Sequence, residues 1–347
     1  MTELSICIPT FNRAEYLPVM LDSIFKQGIF DGVEVLVSDN NSYDDTARIV
    51  KEYKARYKNL VYYKNDINVG FDRNVLNCIT RAKGKYCWIL GDDDRLLSGS
   101  IGFVLRNIKS GQDIYTCGLN LCDAKLRFLE TWQLARGIKD GKVVNMASEG
   151  ELLRYLKKVC SNGGLFGYIG TCVFNRETAL KIKGTQRVSG LGWIHIYLLW
   201  SFKNFNAKFK FLKRPLVDLR TQNDRDVKEN SKIHRLTLEL KGLYIIAQEV
   251  FYNQPKLKNA FLAAVKRYIA PSSIPPVLIL NKAEKKDWPE FCSWIVKYPY
   301  SKMFKKNVNS YWRINPVYFL RVFINLPVLA FVKRPLKNFC AVLNSKA

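Results

Sequence analysis

An α/β fold built on a doubly wound, mostly parallel sheet is what the sequence predicts, and three observations predict it. Short apolar runs alternate with segments of helical periodicity through the amino-terminal part of the chain. Each apolar run stops at a polar cluster. The last of these runs leads straight into Gly91 and three consecutive carboxylates, Asp92, Asp93 and Asp94. Strands that alternate with helices pair in parallel. Sheets of that kind bind ligands outside the carboxyl ends of their strands.

The elements follow in order. Leu4 to Thr10 is a short apolar strand with Pro9 near its end, and proline cannot donate to a continuing ladder. Leu17, Met20, Leu21, Ile24 and Phe25 recur at helical spacing. Val33 to Val37 is a second strand of the buried type, ending at Ser38-Asp39-Asn40-Asn41. Ser42 with Asp45 resembles a capping box for a helix that reaches about Tyr57, with Asp in place of Glu or Gln. Leu60 to Tyr63 makes a third strand, Asp72 to Lys83 a third helix and Tyr86 to Leu90 a fourth strand. Thr10, Asp39 and Asp92 to Asp94 therefore fall on one edge of one sheet.

That edge has a chemistry. Adjacent carboxylates repel and hydrate strongly, so placing three beside a strand end calls for a compensating cation. Hard oxygen ligands suit Mg²⁺ or Mn²⁺, and an ion held by one or two carboxylates usually also takes substrate phosphate oxygens. In isolation an acidic triplet is as well explained as a solvated turn, and Asp39 as an Asx turn after its strand. Three polar clusters on one edge favour a site.

Ile8-Pro9-Thr10-Phe11-Asn12-Arg13, Val37-Ser38-Asp39-Asn40-Asn41-Ser42, Asn68-Val69-Gly70 with Arg73-Asn74, Gly84-Lys85-Tyr86 and Gly91-Asp92-Asp93-Asp94 occur in this order. In that order they resemble glycosyltransferase family 2. The likeness is strong over residues 1 to 110. It continues more weakly through Gly163-Gly164-Leu165-Phe166, Gly190 to His195 and Arg214-Pro215-Leu216-Val217 to Asn223-Asp224, stretches similar to the abequosyltransferase branch. The resemblance implies a GT-A catalytic domain at 1–225, with a nucleotide-sugar half at 1–110 and an acceptor half at 111–225. A helical, basic region follows at 226–347. It implies transfer of a sugar, such as abequose or another 3,6-dideoxyhexose from a CDP-sugar, to a polyprenyl-diphosphate-linked oligosaccharide in O-antigen assembly. A family 2 transferase using a UDP- or dTDP-hexose for another surface polysaccharide is the alternative within the class.

Roles follow from the same resemblance. Pro9, Thr10, Phe11, Arg13, Asp39, Asn68, Arg73, Asp92 and Asp93 would line the donor site. Phe11 would stack on the base, where tyrosine is often found. Asp39 would accept from pyrimidine donors, including the cytosine amino group, and Arg73 would reach the base or diphosphate as a cationic fork. Asn68 and Gly70 read as turn formers. Asp94 would ligate Mn²⁺ or Mg²⁺ directly, and Asp93 would meet the ribose or a metal-bound water. Asp92 reads equally well as a solvated turn residue.

The chain has two histidines, His195 and His234. His195 follows Trp193 at the place where this fold puts an acceptor-side group, normally a carboxylate. It reads as general base, metal ligand, acceptor-binding residue or structural residue. Asp218, Asp224 and Asp226 are rivals for the base. Arg220 and Arg225 are candidates to clamp the leaving diphosphate from a mobile loop. His234, among Lys232, Arg235 and Lys241, reads as surface. Retention of configuration would make a dedicated base less necessary, and the residues leave that choice open.

Composition bounds the rest. Nine cysteines without a C-x-x-C pair argue for free thiols in a reducing cytoplasm rather than a disulfide framework or zinc ribbon. The first strand begins at once, which argues against a signal peptide. Pro316 to Val332 is interrupted by Arg321, Asn325 and Pro327, short of the about 20 apolar residues that span a bilayer. Net charge is +25, and from Phe291 onward ten Lys or Arg stand with no Asp or Glu, interleaved with aromatics such as Trp294, Tyr298, Trp312 and Phe319. That pattern suits peripheral docking on the anionic inner face of the cell membrane. It also suits a nucleic-acid-binding protein, but that class leaves the carboxylates unexplained. A nucleotidyltransferase and a dinucleotide-dependent oxidoreductase would both need a glycine-rich phosphate loop near the first strand, and this sequence has none there.

Overall fold

In the computed structural model, which describes residues 1–28, 30–223, 232–268 and 290, the first strand β1 (Leu4–Thr10) is buried along its whole length. β2 (Val33–Asp39) is equally buried, as strands covered by helices on both faces must be. β3 (Leu60–Lys64) and β4 (Tyr86–Ile89) complete a parallel block in the order β3-β2-β1-β4. The register sets Thr10 opposite Asp39 and Ser5 opposite Cys87. The ends of β1 and β2 are thus level, and β4 runs out beside them into the acidic triplet.

Helices α1 (Leu17–Phe25), α2 (Thr46–Arg56) and α3 (Phe71–Arg81) connect these strands. The apolar positions anticipated for α1 are all buried, and Pro18 stands in its first turn, where a missing N–H costs nothing. Phe25 stacks on Tyr57 at 3.9 Å between ring centroids, closing α1 on the end of α2. The expected Ser42–Asp45 capping box does not form. Asp44 takes the Thr46 N–H at 3.1 Å and its hydroxyl at 2.6 Å. Ser42 Oγ instead accepts from the Asn12 N–H at 2.9 Å, because the turn after β1 lies against it and competes for the hydroxyl.

Beyond β4 the sheet becomes mixed. β5 (Arg95–Leu96) and α4 (Ser100–Ile108) lead to β6 (Ile114–Cys122), β7 (Phe128–Trp132) and β8 (Val143–Asn145). α5 (Glu149–Lys158) is capped by the Ser148 hydroxyl on the Glu151 N–H. Two 3-10 turns, Asn162–Leu165 and Ile169–Thr171, precede β9 (Cys172–Asn175). β9 enters between β4 and β6, antiparallel to both. β10 (Lys208–Arg220) lies parallel to β6, with irregular register between Phe211 and Val217. The order is β3-β2-β1-β4-β9-β6-β10-β5, with β7 on β6 and β8 on β10.

The chain divides into two compact units, Met1–Arg225 with Lys241–Tyr268, and Asp226–Leu240 with Ile269–Ala347. Helices α6 (Arg176–Leu180), α7 (Ile194–Ser201), α8 (Lys232–Val250) and α9 (Pro255–Tyr268), with 3-10 turns at Thr185–Arg187 and Phe202–Phe205, complete the described elements. Every residue of α7 is buried, which is why it reads as apolar all round. In the first unit, Leu243, Ile246, Ala247, Val250 and Phe251 are buried at helical spacing. Trp200 of α7 meets both Phe251 and Phe261 at 5.6 Å. No described helix is long and apolar enough to cross a membrane. The basic tail from Phe291, with Arg225 and the candidates Asp224 and Asp226, lies outside the described residues.

Candidate active site

Three strand ends build the site. At the end of β1, Thr10 is buried, and its carbonyl accepts from the Asn40 N–H at 2.8 Å. The chain then turns through Asn12 at φ +51°, a conformation asparagine tolerates better than most residues. Phe11 meets Tyr43 edge-on at 6.2 Å. Pro9, one residue back, stays in the strand opposite Ser38.

At the end of β2, Asp39 is fully buried and both carboxylate oxygens are engaged. Oδ1 accepts from the Ser42 N–H at 2.7 Å and Oδ2 from the Tyr62 hydroxyl at 2.6 Å. Burial, then the bond to Asp39, pushes the Tyr62 phenol well above its ordinary range. Beside it an asparagine network is closed by Asn40 on Asn68 (2.6 Å) and by Asn65 on Asn74 (3.1 Å). Asn68 Oδ1 accepts from the Gly70 N–H at 2.9 Å, the turn role anticipated for it. Arg73 is exposed on α3 and makes no hydrogen bond or ion pair with the described residues.

At the end of β4 the acidic residues take three different environments. Asp92 is buried beside Thr10 and Arg13. Asp93 is the most accessible, its side chain 19% exposed. Its Oδ2 accepts from Asn223 Nδ2 at 2.7 Å and faces Arg13 at 3.9 Å. Asp94 is buried, with Oδ1 accepting from the Arg220 N–H at 2.9 Å and Oδ2 from the Tyr168 hydroxyl. Gly91 leaves room here, because a Cβ on it would crowd Asp94 Oδ2 and displace that carboxylate. Burial, and next the charge of Asp93, push the carboxyls of both Asp92 and Asp94 well above the aspartate range. Desolvated carboxylates crowded in this way favour uptake of either a proton or a cation.

The donor set is all hard oxygen. Among the described residues no three His, Cys, Asp or Glu converge as a closed metal cage. A divalent ion held by one or two carboxylates and completed by phosphate and water matches this openness. Asp93 and Asp94 are the carboxylates that could hold one, since each of their oxygens keeps a lone pair beyond the bonds described.

Arg220, anticipated on a mobile loop, is the last residue of β10. Its Nε donates to the Asp93 carbonyl at 2.7 Å, and its guanidinium covers Tyr16 at 5.0 Å. Arg13 covers Tyr16 at 5.4 Å. Asp218, a rival for the base, is committed elsewhere: Arg95 binds its Oδ2 at 2.6 and 3.0 Å and Asn120 its Oδ1 at 2.9 Å.

His195 is buried in the first turn of α7, its Nε2 3.3 Å from the Gly167 carbonyl. Trp193 is buried 5.9 Å from it, ring to ring. Gly167 adjoins Tyr168, whose hydroxyl reaches Asp94, so one short segment touches both the imidazole and the acidic edge. His234 is half-buried on α8. Sequence reasoning missed Tyr16, Tyr168, Asp72 and the amide of Asn223. Asn223 stood at the end of a weaker stretch of the resemblance and Asp72 only at the start of the third helix, and their long-range partners left no local signal.

The family model "Glycosyl transferase family 2" matches residues 5–182. Abequosyltransferase RfbV of Salmonella typhimurium is 29% identical over 298 residues, 83% of this chain and 88% of that one. The GalNAc(5)-diNAcBac-PP-undecaprenol beta-1,3-glucosyltransferase of Campylobacter jejuni is 35% identical over 112 residues, 32% of this chain and 36% of that one. The S. aureus TarS 1–349 structure in complex with UDP-GlcNAc superposes at a TM-score of 0.61 and 15% identity, over 85% of this chain and 80% of that one. A mixed sheet flanked by helices in that arrangement is the GT-A fold. With the motifs of its acidic edge inside the matched span, the chain belongs to glycosyl transferase family 2.

Proposed function

We propose that this glycosyltransferase moves a 3,6-dideoxyhexose, abequose or a close relative, from a CDP-sugar to an oligosaccharide on polyprenyl diphosphate during O-antigen assembly. The observation that carries the proposal is the likeness to abequosyltransferase RfbV, which extends over 83% of the chain and so takes in the acceptor half as well as the nucleotide half. A UDP- or dTDP-hexose donor is the second reading, favoured by the 35% identity to the Campylobacter glucosyltransferase.

Within this reading, Thr10, Phe11 and Asp39 surround the base and Asp93 and Asp94 face the diphosphate. Asp93 and Asp94 would hold Mn²⁺ or Mg²⁺, which when bound offsets charge on the leaving diphosphate. Arg13, Arg220 and Asn223 hold the acidic turn in place, so the carboxylates need not reorganise during transfer. On the acceptor side, the His195 tautomer that donates from Nε2 to Gly167 leaves Nδ1 as the basic nitrogen. That tautomer suits proton removal from a hydroxyl, and an imidazole that only binds the acceptor is also compatible with it. The basic, aromatic tail would bring the enzyme to the inner face of the membrane, where such acceptors lie.

The test is a panel of CDP-, UDP- and dTDP-sugars with Mn²⁺, scored by thermal shift and by transfer to lipid-linked acceptor. A CDP-dideoxyhexose should stabilise most and be the donor consumed. Preferred turnover of a UDP- or dTDP-hexose would overturn the donor assignment.

A further inference from the structure

Asp72 sits in the first turn of α3, yet its carboxylate serves a different element. Oδ2 accepts from the Gly190 N–H at 2.7 Å and the Gly192 N–H at 2.9 Å, and Oδ1 accepts from the Ile194 N–H at 3.2 Å. The side chain is 3% exposed, and among the described residues no Lys or Arg pairs with it. Burial raises its carboxyl, while the backbone donors favour the ionised form. A buried charge held by three main-chain donors is costly to place and costly to remove. Gly190 and Gly192 both have positive φ, +86° and +76°, which bends the turn so that its N–H groups converge on one carboxylate.

The turn that Asp72 holds ends where α7 begins. Ile194 is the first residue of α7 and His195 the second. A carboxylate on the free N–H groups of a helix start also opposes the helix dipole favourably. From that start the imidazole reaches Gly167, beside the tyrosine that bonds Asp94.

We propose that Asp72 is a positioning residue for the acceptor-side imidazole: by clamping the Gly190–Ile194 turn it sets where the His195 ring stands relative to the acidic edge. The proposal rests on the assignment of His195 to acceptor chemistry made above. It also gives α3 a double function, since the same helix borders the donor side through Arg73 and the asparagine network. Placing the ring this way matters because misplacement of a reacting group by about 1 Å costs on the order of 100-fold in rate.

The chain has two histidines, so ring resonances of the full-length protein resolve into two, assigned with His234→Gln. Asp72→Asn replaces an acceptor oxygen by an amide donor and leaves shape and volume nearly unchanged. We expect the His195 resonance to shift or split while that of His234 stays. Turnover should fall about 10- to 100-fold, with CDP-sugar affinity within about twofold by the same criterion. The double variant Asp72→Asn/His195→Ala should be no slower than His195→Ala alone. An unmoved His195 resonance, or a loss of donor affinity equal to the loss of turnover, overturns the proposal. If His195→Ala retains full transfer while Asp72→Asn still moves the ring, the role given to His195 fails and the positioning by Asp72 stands. Should Asp72→Asn not fold, Gly192→Ala strains the same turn with Asp72 intact, and must show the same resonance change for the proposal to survive.

Discussion

Asn223 Nδ2 lies 2.7 Å from Asp93 Oδ2, joining the end of β10 to an acidic turn 130 residues earlier in the chain. The same turn is held from below by the Arg220 main chain on Asp94 and by the Arg220 guanidinium on the Asp93 carbonyl. Asp93 keeps enough exposure to meet a ligand, whereas Asp94 is buried. The acidic edge is therefore a preformed structure, and its behaviour toward cations and protons is predictable.

Asp94→Ala is expected to lower sugar transfer about 100-fold or more. The fold should persist, checked by circular dichroism, since only the Tyr168 hydroxyl and the Arg220 N–H lose their partner. EDTA should stop the wild-type enzyme and Mn²⁺ or Mg²⁺ should restart it. Full turnover in EDTA, or near-normal transfer by Asp94→Ala, would sink the metal assignment.

Protons and cations should compete at this edge. Asp92 and Asp94 have carboxyls raised above the ordinary aspartate value of 3.8. A raised carboxyl binds its proton more tightly in the folded state than in the unfolded one. Its contribution to stability is thus fully present below 3.8 and is lost as pH rises through the raised values. Metal-free protein should lose thermal stability over that interval. Added Mn²⁺ should restore stability more strongly at pH 8 than at pH 5, because it binds the ionised forms. Scanning calorimetry at both pH values measures this, and a cation effect independent of pH would contradict it.

Asp39→Ala should weaken nucleotide binding by about 1–3 kcal/mol. It should also lower stability, because the half-buried Tyr62 hydroxyl and the buried Ser42 N–H lose their acceptor. Calorimetry with CDP, UDP and GDP, paired with urea unfolding, separates the two effects. Equal affinity for all three nucleotides in the wild type would rule out pyrimidine recognition at this position.

His195→Ala should cut transfer to acceptor far more than it cuts donor affinity. If the imidazole is a general base, the loss is about 100- to 10,000-fold, and turnover measured from pH 5 to 9 shows an acidic limb that vanishes in the variant. A flat profile with reduced turnover assigns the ring to acceptor binding. Unchanged turnover demotes it to a packing residue beside Trp193.

Docking on the membrane should depend on charge. The ten basic residues from Phe291 onward can contribute about 1 kcal/mol each close to an anionic surface. Full-length protein should co-sediment with vesicles containing anionic lipid, and moderate salt should release it by screening. Equal sedimentation with neutral vesicles would show that the tail's charge is not used in this way.

What the sequence determined by itself was the parallel half of the fold and the position of its ligand edge. Strand length, helical spacing and the polar residue at each strand end are local properties, so β1 to β4 and the placement of Thr10, Asp39 and Asp92 to Asp94 could be read from order alone. The motif order also carried the family. Tertiary structure alone decided the rest. β9 enters antiparallel between β4 and β6, and no periodicity along the chain encodes which strand a segment will pair with. The expected Ser42 cap is absent because α2 starts only at Thr46, with Asp45 as its N-cap residue and no side-chain cap bond, while a turn 30 residues earlier claims the Ser42 hydroxyl. Tyr168 on Asp94, Asn223 on Asp93 and Asp72 on the turn before His195 join residues separated by 74 to 130 positions. Such contacts exist because the folded chain excludes water from groups that must then find partners wherever the packing brings them.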